Sequence, residues 1–191
     1  FFSDMATSTN NTFTAAEIFP GSPGSVVINE IMWMGSQGNS ADEWVELRNV
    51  TNTSIDISGW VITDVGSGGN DITIPASQTI PANGFYIVSN DTEVGSVMSI
   101  TPNYVVNLSI ADVGEQLILM NSSAVTIDTA DNAGSGWFAG ANPGGQTAKS
   151  SMERNSTPGN GAISTNWHTA TTQVNIDVDK NEKATPGATN D

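Results

Sequence analysis

Cysteine is absent from this chain, histidine occurs once, and basic residues number five among 191. The first absence excludes disulfides, a cysteine nucleophile and thiolate metal ligands. It leaves the compartment open, since an oxidising environment permits disulfides without requiring them. With His168 the lone imidazole, a zinc site of the usual His or Cys kind is not expected, and no His-Glu-x-x-His pattern occurs. A Ser-His-Asp triad would have to use His168, which has no Gly-x-Ser-x-Gly elbow near it. We read it as a loop residue packing beside Trp167. Paired carboxylates such as Asp42 and Glu43 point to opposite faces of an extended chain, which weakens a glycosidase reading. No catalytic residue is assigned, and the chain is read as a non-enzyme.

Long apolar runs are missing too. No stretch reaches the roughly 18 to 20 apolar residues that cross a bilayer. A cationic segment leading into an apolar one is also missing, so an exported chain would be the mature product with its signal removed. Helical periodicity over three turns is absent as well.

What is present is acid, glycine and short apolar runs. Twenty acidic residues against five basic ones give a formal charge of -15 and a pI near 4.1. That field repels phosphate backbones and anionic lipid, which disfavours nucleic-acid partners, and it favours divalent cations. Glycine (19) and proline (8) punctuate the apolar runs as turns do.

The runs read as strands: Val26 to Trp33, Trp44 to Asn49, Ile55 to Ile62, Ile72 to Ile74, Phe85 to Val88, Tyr104 to Leu108, Gln116 to Met120 and Ala124 to Asp128. Within the second, Trp44, Glu46 and Arg48 fall on one face, with Val45 and Leu47 on the other. Glu46 and Arg48 are therefore candidates for an exposed cross-strand pair. Seven or more short strands with frequent turns predict an all-β domain, an immunoglobulin-like β-sandwich or a barrel. Beyond Asp131 the chain reads as long loops anchored by Trp137, Phe138 and Trp167, with an edge strand near Ser151-Met152-Glu153-Arg154. Residues 1–25 read as an N-terminal arm and linker, and 26–191 as the sandwich. The arm carries Phe1, Phe2, Phe13, Ile18 and Phe19 ahead of Pro20-Gly21-Ser22-Pro23-Gly24 and has no partner strand near it in sequence.

Three sets of residues resemble a known family. Ile28-Asn29-Glu30-Ile31 with Glu43-Trp44-Val45-Glu46-Leu47-Arg48-Asn49 is the first, and Ile57-Ser58-Gly59-Trp60-Val61-Ile62-Thr63-Asp64 the second. Ser151-Met152-Glu153-Arg154, closed by Thr185-Pro186-Gly187-Ala188-Thr189-Asn190, is the third. Together they resemble the lamin-tail domain, the immunoglobulin-like module of nuclear lamins that also occurs in secreted prokaryotic proteins. The resemblance, over roughly residues 26–190, implies an immunoglobulin-like sandwich; the residues before it add an extended N-terminal arm. The start, Phe2-Ser3-Asp4 followed by Thr9-Asn10-Asn11-Thr12-Phe13-Thr14-Ala15, is similar to camelysin and TasA-like secreted proteins, biofilm-matrix fibre proteins among them. It departs from them at Ala16-Glu17, where those proteins usually carry a glycine.

Three kinds of site follow as expectations. Asp177, Asp179 and Asn181 place oxygen ligands at alternate positions, and Asp64 and Asp71 bracket a flexible Gly-rich loop; both are candidate calcium sites. The calcium loop is not an EF-hand, because Glu182 stands where that motif has its glycine. Sequons at Asn10, Asn49, Asn52, Asn90, Asn107, Asn121 and Asn155 suggest an exported glycoprotein. Phe1, Phe2, Phe13, Ile18 and Phe19 are candidate subunit contacts. The function expected is an extracellular or cell-surface structural subunit that polymerises with itself by N-terminal strand addition. The alternative is a monomeric surface module that binds a glycan or protein through Trp137, Phe138 and Trp167.

Overall fold

A computed structural model describes residues 21–66, 68–144 and 147–191. Residues 1–20 of the expected arm and linker, with Phe1, Phe2, Phe13, Ile18, Phe19 and the Asn10 sequon, lie outside these residues.

The fold is all-β and consistent with an immunoglobulin-like sandwich. One sheet has six strands in the order β12-β11-β1-β2-β7-β8. Its members are β1 (Val26–Met32), β2 (Trp44–Asn49), β7 (Phe85–Ser89), β8 (Tyr104–Val105), β11 (Met152–Arg154) and β12 (Trp167–Thr169). All pair antiparallel except β7 with β8. The second sheet has the order β10-β9-β4-β5, from β4 (Val61–Gly66), β5 (Asn70–Thr73), β9 (Leu117–Met120) and β10 (Thr126–Ala130). A short pair, β3 (Ile55–Asp56) with β6 (Thr79–Ile80), sits apart.

Ile28, Ile31, Val45 and Leu47 from the large sheet join Ile62, Leu117, Leu119 and Ile127 from the small one in a single apolar core. In β9 the burial alternates, Leu117 and Leu119 inside and Ile118 and Met120 half-exposed, as a strand with one wet face requires. β1 is buried at all seven positions and β2 at all but Arg48, so these two strands are covered on both faces.

The run Ile55 to Ile62 breaks into β3 and β4 at a tight turn. Trp60 N–H donates to the Ile57 carbonyl (3.0 Å), and Gly59 adopts φ +72°, a backbone region that disfavours side chains. The turn returns Trp60 to the core, 3% exposed.

Two expectations are corrected. β11 is not an edge strand: it pairs with β1 on one side and β12 on the other. The loops after Asp131 thus contribute two strands to the large sheet. Nor do Glu46 and Arg48 form an exposed pair. Glu46 is fully buried, while Arg48 donates to the Ser156 carbonyl (3.2 Å) and lies 6.0 Å from the Phe85 ring centre.

Candidate functional site: a buried row of carboxylates

The most unusual chemistry lies across the large sheet. Strand register sets Glu46 of β2 opposite Glu30 of β1, Glu30 opposite Glu153 of β11, and Glu153 opposite His168 of β12. Residues directly opposite in a sheet share a face, so four adjacent strands present one row of titratable side chains. The three glutamates have no solvent exposure.

A bulge completes the arrangement. The pairing of β1 with β2 shifts between Ile28 and Glu30, leaving Asn29 as the extra residue. Neighbours in a regular strand point to opposite faces, but here Asn29 reaches the same carboxylates as Glu30. Its Nδ2 donates to Glu46 Oε1 (2.7 Å) and to Asn190 Oδ1 (2.9 Å).

Residues 185–191 cover the row and donate to all three carboxylates, though Glu30 Oε2 is left without a partner. Thr185 N–H donates to Glu30 Oε1 (3.0 Å) and its hydroxyl to Glu153 Oε1 (2.8 Å). Gly187 N–H donates to Glu46 Oε2 (2.5 Å), and Asp191 N–H to Glu153 Oε2 (3.1 Å). Asn190 Nδ2 donates to the carbonyls of Asn29 (2.9 Å) and Arg154 (2.7 Å). The Ser151 hydroxyl adds a bond to Glu30 Oε1 (2.6 Å). Buried carboxylates without such partners would be strongly destabilising.

Burial, with Glu153 nearby, pushes the Glu46 carboxyl up to about 8. Burial and then the charges of Glu46 and Glu153 hold Glu30 well above the usual carboxylate range, and burial raises Glu153. Glu46 therefore retains its proton at neutral pH. Lying beneath the chain's own tail, it clamps that tail rather than facing a substrate.

Arg154 ties this sheet to the other. Its guanidinium, fully buried, donates from Nη2 to both oxygens of Asp128 on β10 (2.9 and 3.1 Å) and to the Gly159 carbonyl (3.0 Å). It also lies 4.6 Å from the Trp167 ring centre. Burial pushes Asp128 up and Arg154 down, against the mutual attraction that favours both charges.

The two calcium candidates stand elsewhere. Asp177 and Asp179 line a cleft of about 450 Å3 with Asn39, Val97, Lys180 and Glu182. Asp179 there pairs with Lys180 (2.9 Å), and Asn181 N–H donates to Glu182 Oε2 (3.2 Å). Asp71 Oδ1 accepts the Asp64 N–H (3.2 Å) across the β4–β5 hairpin. Neither set gathers three carboxylate or imidazole ligand atoms among the described residues. The trio that does is Glu153, His168 and Asp191.

Asn52 and Asn107 are exposed, and Asn90, Asn121 and Asn155 half-buried. Asn49 is corrected: it is fully buried, and its Nδ2 donates to the carbonyls of Thr53, Ile80 and Pro81. A glycan has neither room nor a free amide there. Asp42 and Glu43 are both buried; Asp42 Oδ2 accepts the Val97 N–H (2.9 Å), and burial raises Glu43 to about 7. The late aromatics are structural. Trp167 is buried and donates to the Gly161 carbonyl (2.8 Å), while Trp137 stacks on Trp33 with ring centres 6.1 Å apart and donates to the Ala111 carbonyl (2.8 Å). Phe138 packs half-buried against the core.

Sequence reasoning marked Glu30, Glu46 and Glu153 as motif residues but not as neighbours. The available signal was an ionisable residue inside the apolar runs of β1 and β2; β11, Met152-Glu153-Arg154, carried no such signal.

Among the described residues, no helix is long and apolar enough to cross a membrane. No curated protein matches the chain. Residues 20–134 match the family model of the lamin tail domain, and β11 and β12, beyond that match, complete the same sheet. The bulged Asn29-Glu30 pair, the Gly59-Trp60 turn and the covering tail are the structural content of the segments that first suggested it: the chain belongs to the lamin tail domain family.

Proposed function

We propose that this lamin tail domain is an extracellular structural subunit that joins copies of itself into a filament, tube or surface lattice. Segment 1–19 of one copy adds as a strand to a sheet edge of the next. The secreted prokaryotic setting rests on the resemblance of the N-terminal residues to camelysin and TasA-like proteins.

One observation carries the reading: β5 ends the small sheet, and among the described residues no strand pairs with its outer edge. Ile74 N–H donates inward to the Trp60 carbonyl (2.8 Å), so the two-residue alternation turns the Thr73 main-chain groups outward. Thr73 and, by the same alternation, Asp71 offer main-chain bonds to an added strand, and Phe13, Ile18 and Phe19 are the apolar side chains that strand would bring. The other end of that sheet is less open. At β10, the Ile127 carbonyl already accepts Gly24 N–H (2.7 Å), and Asp131 N–H already donates to the Gly161 carbonyl (3.1 Å). A head-to-tail contact of this kind does not close on itself, so it gives open polymers.

The test is negative-stain microscopy and sedimentation of three proteins: the full chain, a variant lacking residues 1–20, and Thr73→Pro, which removes an outward donor. Each is examined with calcium and with a chelator. Ordered polymers from the full chain alone support the reading, and their loss on chelation assigns calcium a role at the contact. Dispersed monomers from the full chain in both conditions overturn it.

The cleft of about 450 Å3 beside Asp177 and Asp179 favours a second reading, a monomeric module binding a surface protein or glycan. Binding that survives deletion of residues 1–20 distinguishes the two.

A further inference from the structure

We propose that Glu153, His168 and Asp191 form a binding site for a single divalent transition-metal ion of the zinc class, which pins the C-terminal segment to β11 and β12. One ligand atom from each lies within 4.8 Å of the others.

The hydrogen bonds fix which imidazole nitrogen is free. Asn155 Nδ2 donates to the Thr165 carbonyl (3.0 Å), so its Oδ1 is the atom facing His168 Nδ1 at 3.1 Å. Being an acceptor, that oxygen requires the imidazole proton on Nδ1. In the neutral imidazole, Nε2 then presents a lone pair to Glu153 Oε2 at 3.2 Å. With both groups unprotonated two lone pairs face each other; a proton on Nε2 makes the contact an ion pair, and a metal ion in its place takes both lone pairs at once. Two ligands on a tetrahedral zinc ion, each at about 2.0 to 2.1 Å, sit about 3.3 Å apart. Asn155 plays the part of the outer partner that fixes the tautomer of a metal-bound histidine.

A second observation is independent of this trio. Glu30 is fully buried and directly opposite Glu153, and its Oε2 has no partner. Thr185 bonds to both carboxylates, so the two converge on one point. The corner thus sets Glu153 and Asp191 against one imidazole, with Glu30 on the far side of Glu153, while Arg154 is committed to Asp128. Asp191 is held ready, because its side chain accepts from Thr171 N–H and hydroxyl (2.6 Å each) and from the Thr172 N–H and hydroxyl. One nitrogen and two oxygen donors suit zinc, manganese or cobalt better than calcium, which takes six to eight oxygens. The sequence argument against zinc rested on the single histidine; the fold adds two carboxylates from distant positions.

The test uses the full chain stripped with a chelator. Zinc, cobalt and calcium salts are titrated singly by calorimetry, with thermal unfolding followed in parallel. One zinc per chain is expected, with a raised melting temperature and a cobalt absorption spectrum of a nitrogen-oxygen site. His168→Gln should weaken zinc binding about 100-fold or more, and Asn155→Ala, which touches no metal, about 10- to 100-fold. Asp191→Asn should also weaken binding, and because that side chain is exposed it reports even if His168→Gln fails to fold. No zinc uptake at micromolar concentrations overturns the site, as does uptake unchanged in both His168→Gln and Asp191→Asn. Calcium binding equal to that of zinc overturns the assignment of metal class.

Discussion

The two sheets of this sandwich solve the same burial problem differently. The four-stranded sheet keeps one face wet: Leu117, Leu119, Ile62 and Ile72 turn inward while most intervening side chains meet solvent. The six-stranded sheet is covered on both faces over β1 and β2, yet its second face carries three glutamates rather than more leucine. In the first sheet stability rests on filled volume. In the second it also rests on protons and on a tail that supplies hydrogen bonds. The difference teaches that an acidic surface and an acidic interior are separate matters in this chain.

The largest effect should come where the sheets are joined. Arg154→Ala leaves Asp128 without its guanidinium and opens space under Trp167, and we expect a loss of about 3 to 5 kcal/mol in urea unfolding. Replacing both partners, as Arg154→Met with Asp128→Leu, should recover most of that loss, since a buried pair gives up much of its attraction to desolvation. If the double variant is as unstable as Arg154→Ala, the pair is not what joins the sheets. Next in size is Leu119→Ala in the four-stranded sheet, expected to cost about 2 to 5 kcal/mol through lost burial and a cavity. That loss should be the same at pH 5 and pH 8, which separates it from changes in the other sheet.

How far the sequence made this visible follows the same division. Short apolar runs marked the strands of the small sheet, but Leu117-Ile118-Leu119-Met120 is apolar throughout, so its alternation of burial is not written in its residue types. The lamin-tail resemblance then supplied the order of strands that periodicity leaves open. The carboxylate row stayed hidden for two reasons. Glu46 was placed on a solvent face because alternation cannot register a covering tail more than 130 positions away. Regular alternation would set Asn29 and Glu30 on opposite faces, and the bulge that brings them together is not written in residue types. The Asn49 sequon failed for a related reason: an Asn before a turn satisfies carbonyls as readily as it accepts a sugar.

A smaller and pH-dependent effect should belong to the row itself. The folded-state value of Glu46 is raised from an ordinary 4.5 to about 8. Above the unfolded value the folded chain binds more protons than the unfolded one, so stability falls as pH rises. The contribution is fully present below about pH 4.5 and is lost as pH passes through 8. Glu43, raised to about 7, acts in the same direction. Thermal unfolding should therefore show a melting temperature that declines from pH 5 to pH 8.5. Glu46→Gln should flatten that slope, losing stability at pH 5, where the amide offers one acceptor oxygen to Asn29 and Gly187, and gaining at pH 8.5. A slope unchanged by Glu46→Gln would place the titration elsewhere.

The smallest effect sharpens the contrast within one strand. Arg48 stands two residues beyond Glu46 on the same face of β2, but the covering tail does not enclose it. It is the half-exposed position of a strand otherwise buried, with one bond to the Ser156 carbonyl and a distant approach to the Phe85 ring. Water competes for both, so Arg48→Ala should change stability by no more than about 1 kcal/mol and leave the pH slope intact. A loss comparable to that of Arg154→Ala would mean that the edge of the cover extends past Glu46, and that the acidic row draws on Arg48 through space. A near-neutral result would confine the buried chemistry to the stretch the tail encloses, and would make enclosure, rather than position on a strand face, the property that separates the two charged residues.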